Sequence, residues 1–139
     1  MINALRRVLP LPHARRGAGH VSVGRRGQRV AERALRRCGH RVLARNLRTS
    51  AAEIDLLCLD RRSGQIALVE VKTRAGASED PPPEANLSGD QRARLLRAAT
   101  LLARDTRING RPIRIDLVTV RLLPGGNTDV RHHRAAIRG

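Results

Sequence analysis

Residues 65–72 (QIALVEVK) set Glu70 and Lys72 two positions apart inside an apolar run. Residues two apart on a strand share a face, so a carboxylate and an ammonium stand side by side there. Burying both is costly unless they pair or bind something. Asp55 lies in the preceding apolar run, Glu53–Asp60 (EIDLLCLD), and 61–64 (RRSG) reads as a turn between the two. If the runs pair through that turn, Asp55 and Glu70 meet across the ladder. Two carboxylates on one face repel unless a proton or a cation joins them. A hard divalent ion with oxygen ligands meets that need. The chemistry this trio suggests is hydrolysis of a phosphodiester. Asp55 and Glu70 would hold Mg²⁺ or Mn²⁺, making bound water a better nucleophile, and Lys72 would orient that water or stabilise charge on the phosphate. The competing explanation is structural: a Glu70–Lys72 ion pair at a sheet end, with Asp55 a turn-proximal acid.

Composition sharpens the choice. Of the 28 basic residues, Lys72 is the only lysine. A chain that writes nearly every cation as arginine has kept one compact ammonium, which can shift its proton affinity where arginine cannot. The other polar candidates are weaker. Glu53 shares a face with Asp55 and reads as a solvated strand-end charge. Asp116 alternates within a late strand and reads as structural support paired with Arg114 or another buried arginine. His132 and His133 fall in a basic C-terminal stretch and read as solvated. Cys38 and Cys58 match no metal spacing and read as ordinary small buried residues. No serine–histidine pair, phosphate-binding glycine loop or zinc spacing is present.

The elements that must position these residues follow from punctuation and periodicity. Residues 1–23 read as an irregular basic arm broken by Pro10 and Pro12. From Gly27 the apolar spacing is helical through Val30, Ala31, Ala34, Leu35 and Cys38, with Gly39 as the stop. Residues 40–48 read as a strand, followed by the two central runs as a hairpin. These are apolar on both faces, so layers should cover both sides of the sheet. Residues 74–87 read as a long loop, and Ser88 as the N-cap of a helix over 89–105. Residues 112–122 (PIRIDLVTVRL) alternate as a strand should. The predicted organisation is an arm at 1–23, a domain at 24–123 and a flexible basic tail at 124–139. The fold class is α/β, a three-layer core of order α-β-β-β-α-β with a mixed sheet flanked by helices.

The formal net charge is +16 over 139 residues. It is uneven: residues 1–50 hold 13 arginines against Glu32 alone. This excess favours a polyanionic partner through counterion release, although an arginine-rich composition bias explains part of it. No Phe, Trp or Tyr occurs, which excludes aromatic base stacking and favours readout of backbone or shape. No apolar stretch approaches the ~20 residues that span a membrane. Nothing suggests an oxidising compartment, so a cytoplasmic location is expected.

The segments GQRVAERALRRCGHRVLARNLR, AEIDLLCLD, LVEVKTR, RLLRAATLLA and RIDLVTV, between Gly27 and about Val120, resemble the YraN family of bacterial proteins. The resemblance implies a restriction-endonuclease-like fold akin to Holliday-junction resolvases. It also implies a PD-(D/E)xK-type site made by Asp55, Glu70 and Lys72. Departures are Ala52 for a usual glycine, Ala34 and His40 at aromatic positions, Gln91 for a lysine, and Gln28 where related families often carry a helix glutamate. Glu32, one turn later on the same helical face, could replace that glutamate as a metal ligand. Arg45, Arg48 and Arg74 flank the site in sequence and are candidate phosphate contacts, which position a duplex without reading its bases. The expected function is metal-dependent endonucleolytic cleavage of DNA, branched DNA included. The alternatives are a catalytically silent nucleic-acid-binding module and a basic, ribosome-associated interaction factor. A homodimer follows only by analogy with resolvases.

Overall fold

The computed structural model describes residues 18–76 and 83–138. Helix α1 spans Ala18–Arg37, followed by strands β1 (His40–Arg48), β2 (Glu53–Asp60) and β3 (Ile66–Ala75). Helix α2 (Gly89–Ala103) leads to β4 (Ile113–Leu122) and β5 (Thr128–Ile137). The five strands form one sheet in chain order, β1-β2-β3-β4-β5. The first three are antiparallel neighbours, β3 and β4 are parallel, and β5 returns antiparallel. The parallel step requires a crossover, and α2 supplies it. This is the predicted α-β-β-β-α-β order around a mixed sheet, with one more strand.

Strand alternation sends apolar residues to both faces. Leu57, Leu68, Ile115 and Leu117 pack under Leu95, Ala98 and Leu102 of α2. Leu56, Cys58, Ala67, Val69, Val118 and Val120 pack under Ala31 and Leu35 of α1. The sheet is therefore the middle of three layers, as its two-sided apolar strands require. α2 begins with a complete capping box: the Ser88 hydroxyl accepts from the Gln91 backbone N–H, and the Gln91 side chain accepts from the Ser88 backbone N–H. Gln91, a departure from the family pattern, thus has a structural use.

Two expectations are corrected. The helix starts at Ala18, inside the predicted arm, and only residues 1–17 of that arm lie outside the described residues. The predicted flexible tail at 124–139 is instead a turn followed by β5, paired with β4 from Leu122↔Thr128 to Ile115↔Ile137. Its sequence hides the strand because its inward residue His132 meets charge rather than apolar surface. A bulge around Ala135, at φ 50°, also breaks the period-two pattern.

Candidate functional site

The β2–β3 ladder runs from Leu59↔Ile66 to Leu56↔Val69. Beyond Val69, β3 continues to Ala75 beside β4, while β2 continues to Glu53 beside β1. The strands part at Asp55 and Glu70, and a notch opens in the sheet there. The Val71 backbone N–H, released from the ladder, donates to Asp55 Oδ2 at 2.8 Å and fixes that carboxylate. Glu70 and Lys72 follow Leu68 on the α2 face, with Lys72 Nζ 3.4 Å from Glu70 Oε1. Asp55 and Glu70 lie close enough for each to influence the other's proton affinity. The structure therefore brings Asp55, Glu70 and Lys72 together, as their spacing predicts.

The electrostatics of this trio are unbalanced. Burial first, then the neighbouring Asp55 charge, pushes the Glu70 carboxyl up to about 7, against the downward pull of Lys72. Asp55 is also raised, by burial foremost and by the charge of Glu53, while the Val71 N–H pulls it down. Two oxygen-donor groups share one lysine and compete for a proton. Such a pair fits a hard divalent ion, which would replace the proton and cancel the repulsion.

The supporting residues divide. Gln28 of α1 donates its side-chain amide to the Asp55 backbone carbonyl at 3.3 Å, so the helix touches the site through an amide. Glu32, expected as an additional metal ligand, is not one here. Its carboxylate is bound by Arg36 at 2.9 Å and by Arg45 at 2.8 Å. Those guanidiniums, Arg45 first, hold its carboxyl below the usual range. Arg45 is therefore committed to an internal partner. Arg48 lies 3.9 Å from exposed Glu53, which makes Glu53 the strand-end charge its position suggests. Arg74 is exposed and donates to Asn86 Oδ1 at 2.7 Å. α1 reaches this end of the sheet because Gly27 has no side chain. A Cβ there would lie 1.8 Å from Thr73 Oγ1.

A second polar constellation lies on the α1 face, at the other end of β2. Asp60 and Asp116 are fully buried, and Arg114 between them is 8% exposed. Arg114 Nε donates to Asp116 Oδ1 at 2.9 Å. Its Nη1 donates to Asp60 Oδ2 at 2.8 Å and to Gln65 Oε1 at 3.0 Å. Its Nη2 donates to His40 Nε2 at 2.9 Å, which leaves His40 neutral with its proton on Nδ1. Asp60 also accepts from Arg134 Nη2 at 2.8 Å and from the Arg62 N–H at 3.0 Å. Asp116 meets His132 Nε2 at 2.8 Å, and the bulged Ala135 N–H donates to it at 2.9 Å. Burial pushes both acids up, but the hydrogen bonds win. Arg114 is foremost in holding Asp60 below its usual range, and His132 and then Arg114 do so for Asp116. Burial lowers the His40 imidazole.

The pairing of Asp116 with Arg114 is as read from the sequence. The solvated role assigned to His132 is corrected: its ring closes the network. His40, Asp116 and His132 offer ligand-type atoms within 4.8 Å of one another, but the Arg114 guanidinium already supplies the cation. The β4 alternation betrayed Asp116 and Arg114. Nothing local could mark His40 and His132, which arrive from positions 74 and 18 residues from Arg114 along the chain.

The family model described as "Uncharacterised protein family UPF0102" matches residues 27–120. A UPF0102 protein of Syntrophotalea carbinolica is 37% identical over 116 residues, covering 84% of this chain and 91% of that relative. One of Solibacter usitatus is 42% identical over 99 residues, covering 70% of this chain and 73% of the relative. One of Oleidesulfovibrio alaskensis is 41% identical over 111 residues, and there the chain spans 54% of the relative's length. Among solved structures, a repair endonuclease from Pyrococcus abyssi aligns with TM-score 0.44 and 13% identity. That alignment covers 82% of this chain and 42% of that one. Among the described residues, no helix is long and apolar enough to cross a membrane.

Proposed function

The chain belongs to the UPF0102 family, and from that premise we propose that it is a metal-dependent endonuclease acting on DNA, branched DNA included. The observation that carries this reading is the notch between β2 and β3. It holds two half-buried carboxylates, both raised above their usual range, beside the chain's single lysine. In this reading Asp55 and Glu70 hold Mg²⁺ or Mn²⁺. When bound, the ion supplies charge neutralisation and lowers the pKa of a coordinated water. The protein's own part is positional. The Val71 N–H and Gln28 hold Asp55 from its side-chain and backbone ends. Lys72, 3.4 Å from Glu70 Oε1, would face the phosphate and stabilise charge as it builds in the transition state.

One observation favours a second reading, a nucleic-acid-binding module without catalysis. α1 presents an amide rather than a carboxylate at Asp55, and Glu32 is consumed by Arg36 and Arg45. The test is cleavage at low salt with Mn²⁺ or Mg²⁺ of linear duplex, single strand, flap and four-way junction. Asp55→Ala and Lys72→Ala would be run beside the unaltered protein. Cleavage lost in both variants is the expected outcome. Absence of cleavage by the unaltered protein, with DNA binding equal in all three, would leave the binding module.

A further inference from the structure

α1 carries six arginines and a single acid, Glu32. At 3.6 residues per turn, Arg25, Arg26, Arg29, Arg33, Arg36 and Arg37 all fall within about 120° of arc. That arc lies opposite Gly27, Ala31 and Leu35, which face the sheet. All six are exposed. Arg36 is tied to Glu32, and Arg26 reaches the Gly126 carbonyl at 3.5 Å. Arg25, Arg29 and Arg33, spaced by four, make no hydrogen bond or ion pair among the described residues. Like charges at this spacing disfavour a helix. Composition bias alone does not produce the row: the three arginines of α2 (Arg92, Arg94, Arg97) are spread over about 200° of arc by the same count.

From this we infer that the outer face of α1 is a docking surface for the phosphate backbone of a DNA duplex, separate from the carboxylate notch. The inference shares with the proposed function the choice of nucleic acid as ligand, but not its chemistry. From Arg25 to Arg36 the row is about 16 Å long at the helical rise, roughly the span of five phosphates of one strand. Guanidiniums on a rigid rod suit a regular anionic backbone and read no bases. Glu70 and Lys72 stand on the α2 face of the sheet, whereas α1 covers the other face. A phosphate on the α1 row is therefore not the phosphate at Lys72. The chain then holds nucleic acid at two places, in keeping with a bent or branched substrate.

The test is equilibrium binding of a linear DNA duplex over a salt series in EDTA. The unaltered protein would be compared with the triple variant Arg25→Gln/Arg29→Gln/Arg33→Gln. A control triple removes equal charge elsewhere, Arg61→Gln/Arg97→Gln/Arg104→Gln. Glutamine keeps helix propensity, and circular dichroism checks the fold. The α1 triple is expected to lower the slope of log K against log salt by about 2 to 3, with the control triple near the unaltered slope. Equal losses in both triples would overturn the inference. So would loss of binding to phosphatidylserine vesicles by the α1 triple with duplex binding intact. If only the α1 triple lowers the slope while no protein cleaves DNA, the docking surface stands and the nuclease reading fails.

Discussion

The sheet carries two carboxylate pairs, one fully buried and one half-buried, and they are opposites in electrostatic balance. Asp60 and Asp116, on the α1 face, surround Arg114 and accept further bonds from Arg134, His132 and three backbone N–H groups. Both acids are driven below their usual range. Asp55 and Glu70, on the α2 face, have Lys72 and one backbone N–H, and both are driven up. Buried carboxylates meant only to hold a fold are satisfied; a pair left short of positive charge stores a demand for a cation. The difference gives the first pair a structural role and supports the proposed cation-binding role of the second.

The contrast is broken most directly at Arg114. Replacing it with leucine removes the cation that two buried carboxylates share and should cost about 3 to 5 kcal/mol. Set against the ~5–15 kcal/mol of a typical domain, this should appear as a large fall in urea midpoint. A loss below ~1 kcal/mol would mean that the network is not what holds these strands.

The notch should respond in the opposite sense. Glu70→Gln removes the repulsion and is expected to stabilise the metal-free protein by about 1 to 2 kcal/mol at pH 8, while abolishing metal-dependent cleavage. Thermal melts in EDTA measure the first effect and the junction assay the second. A destabilised variant would place Glu70 among structural groups.

That gain should depend on pH in a defined direction. Glu70 in the folded chain titrates at about 7, above its usual 4.5. The folded state therefore holds this proton more tightly than the unfolded state, and ionisation opposes folding. The advantage of Glu70→Gln should be absent below about pH 4.5, grow as pH rises and level off above about 7. His40 acts in the reverse sense: its value is depressed from 6.5, so stability falls as pH drops through about 6.5. The difference between the two proteins, rather than either melting curve alone, isolates the notch. A difference independent of pH would contradict the raised Glu70.

The smallest effect belongs to the rim of the structural pair. Arg134 reaches Asp60 at 2.8 Å, but its side chain is 52% exposed, so Arg134→Gln should cost less than ~1 kcal/mol. A larger loss in the same urea series would show that Arg114 does not suffice for Asp60.

How much of this was readable beforehand follows from sequence distance. Asp55, Glu70 and Lys72 belong to one hairpin closed by a short turn, so alternation and turn position already bring them together. The three-layer class was legible because β2 and β3 are apolar on both faces. The second constellation draws on β1, β2, β4 and β5, and its histidines carry no local signal. β5 escaped because it is an edge strand with a bulge, and its inward contact is His132 to Asp116. Glu32 shares a helical face with Gln28, and only the structure shows Arg45 reaching back from β1 to bind it.

The central claim is that the notch, and not the histidine–aspartate network, is the cation site. Mn²⁺ titration by calorimetry at pH 8 of the unaltered protein, Asp55→Asn and His132→Gln tests it. The account predicts one ion per chain for the unaltered protein and His132→Gln, and none for Asp55→Asn. Binding that survives Asp55→Asn and vanishes in His132→Gln would contradict it.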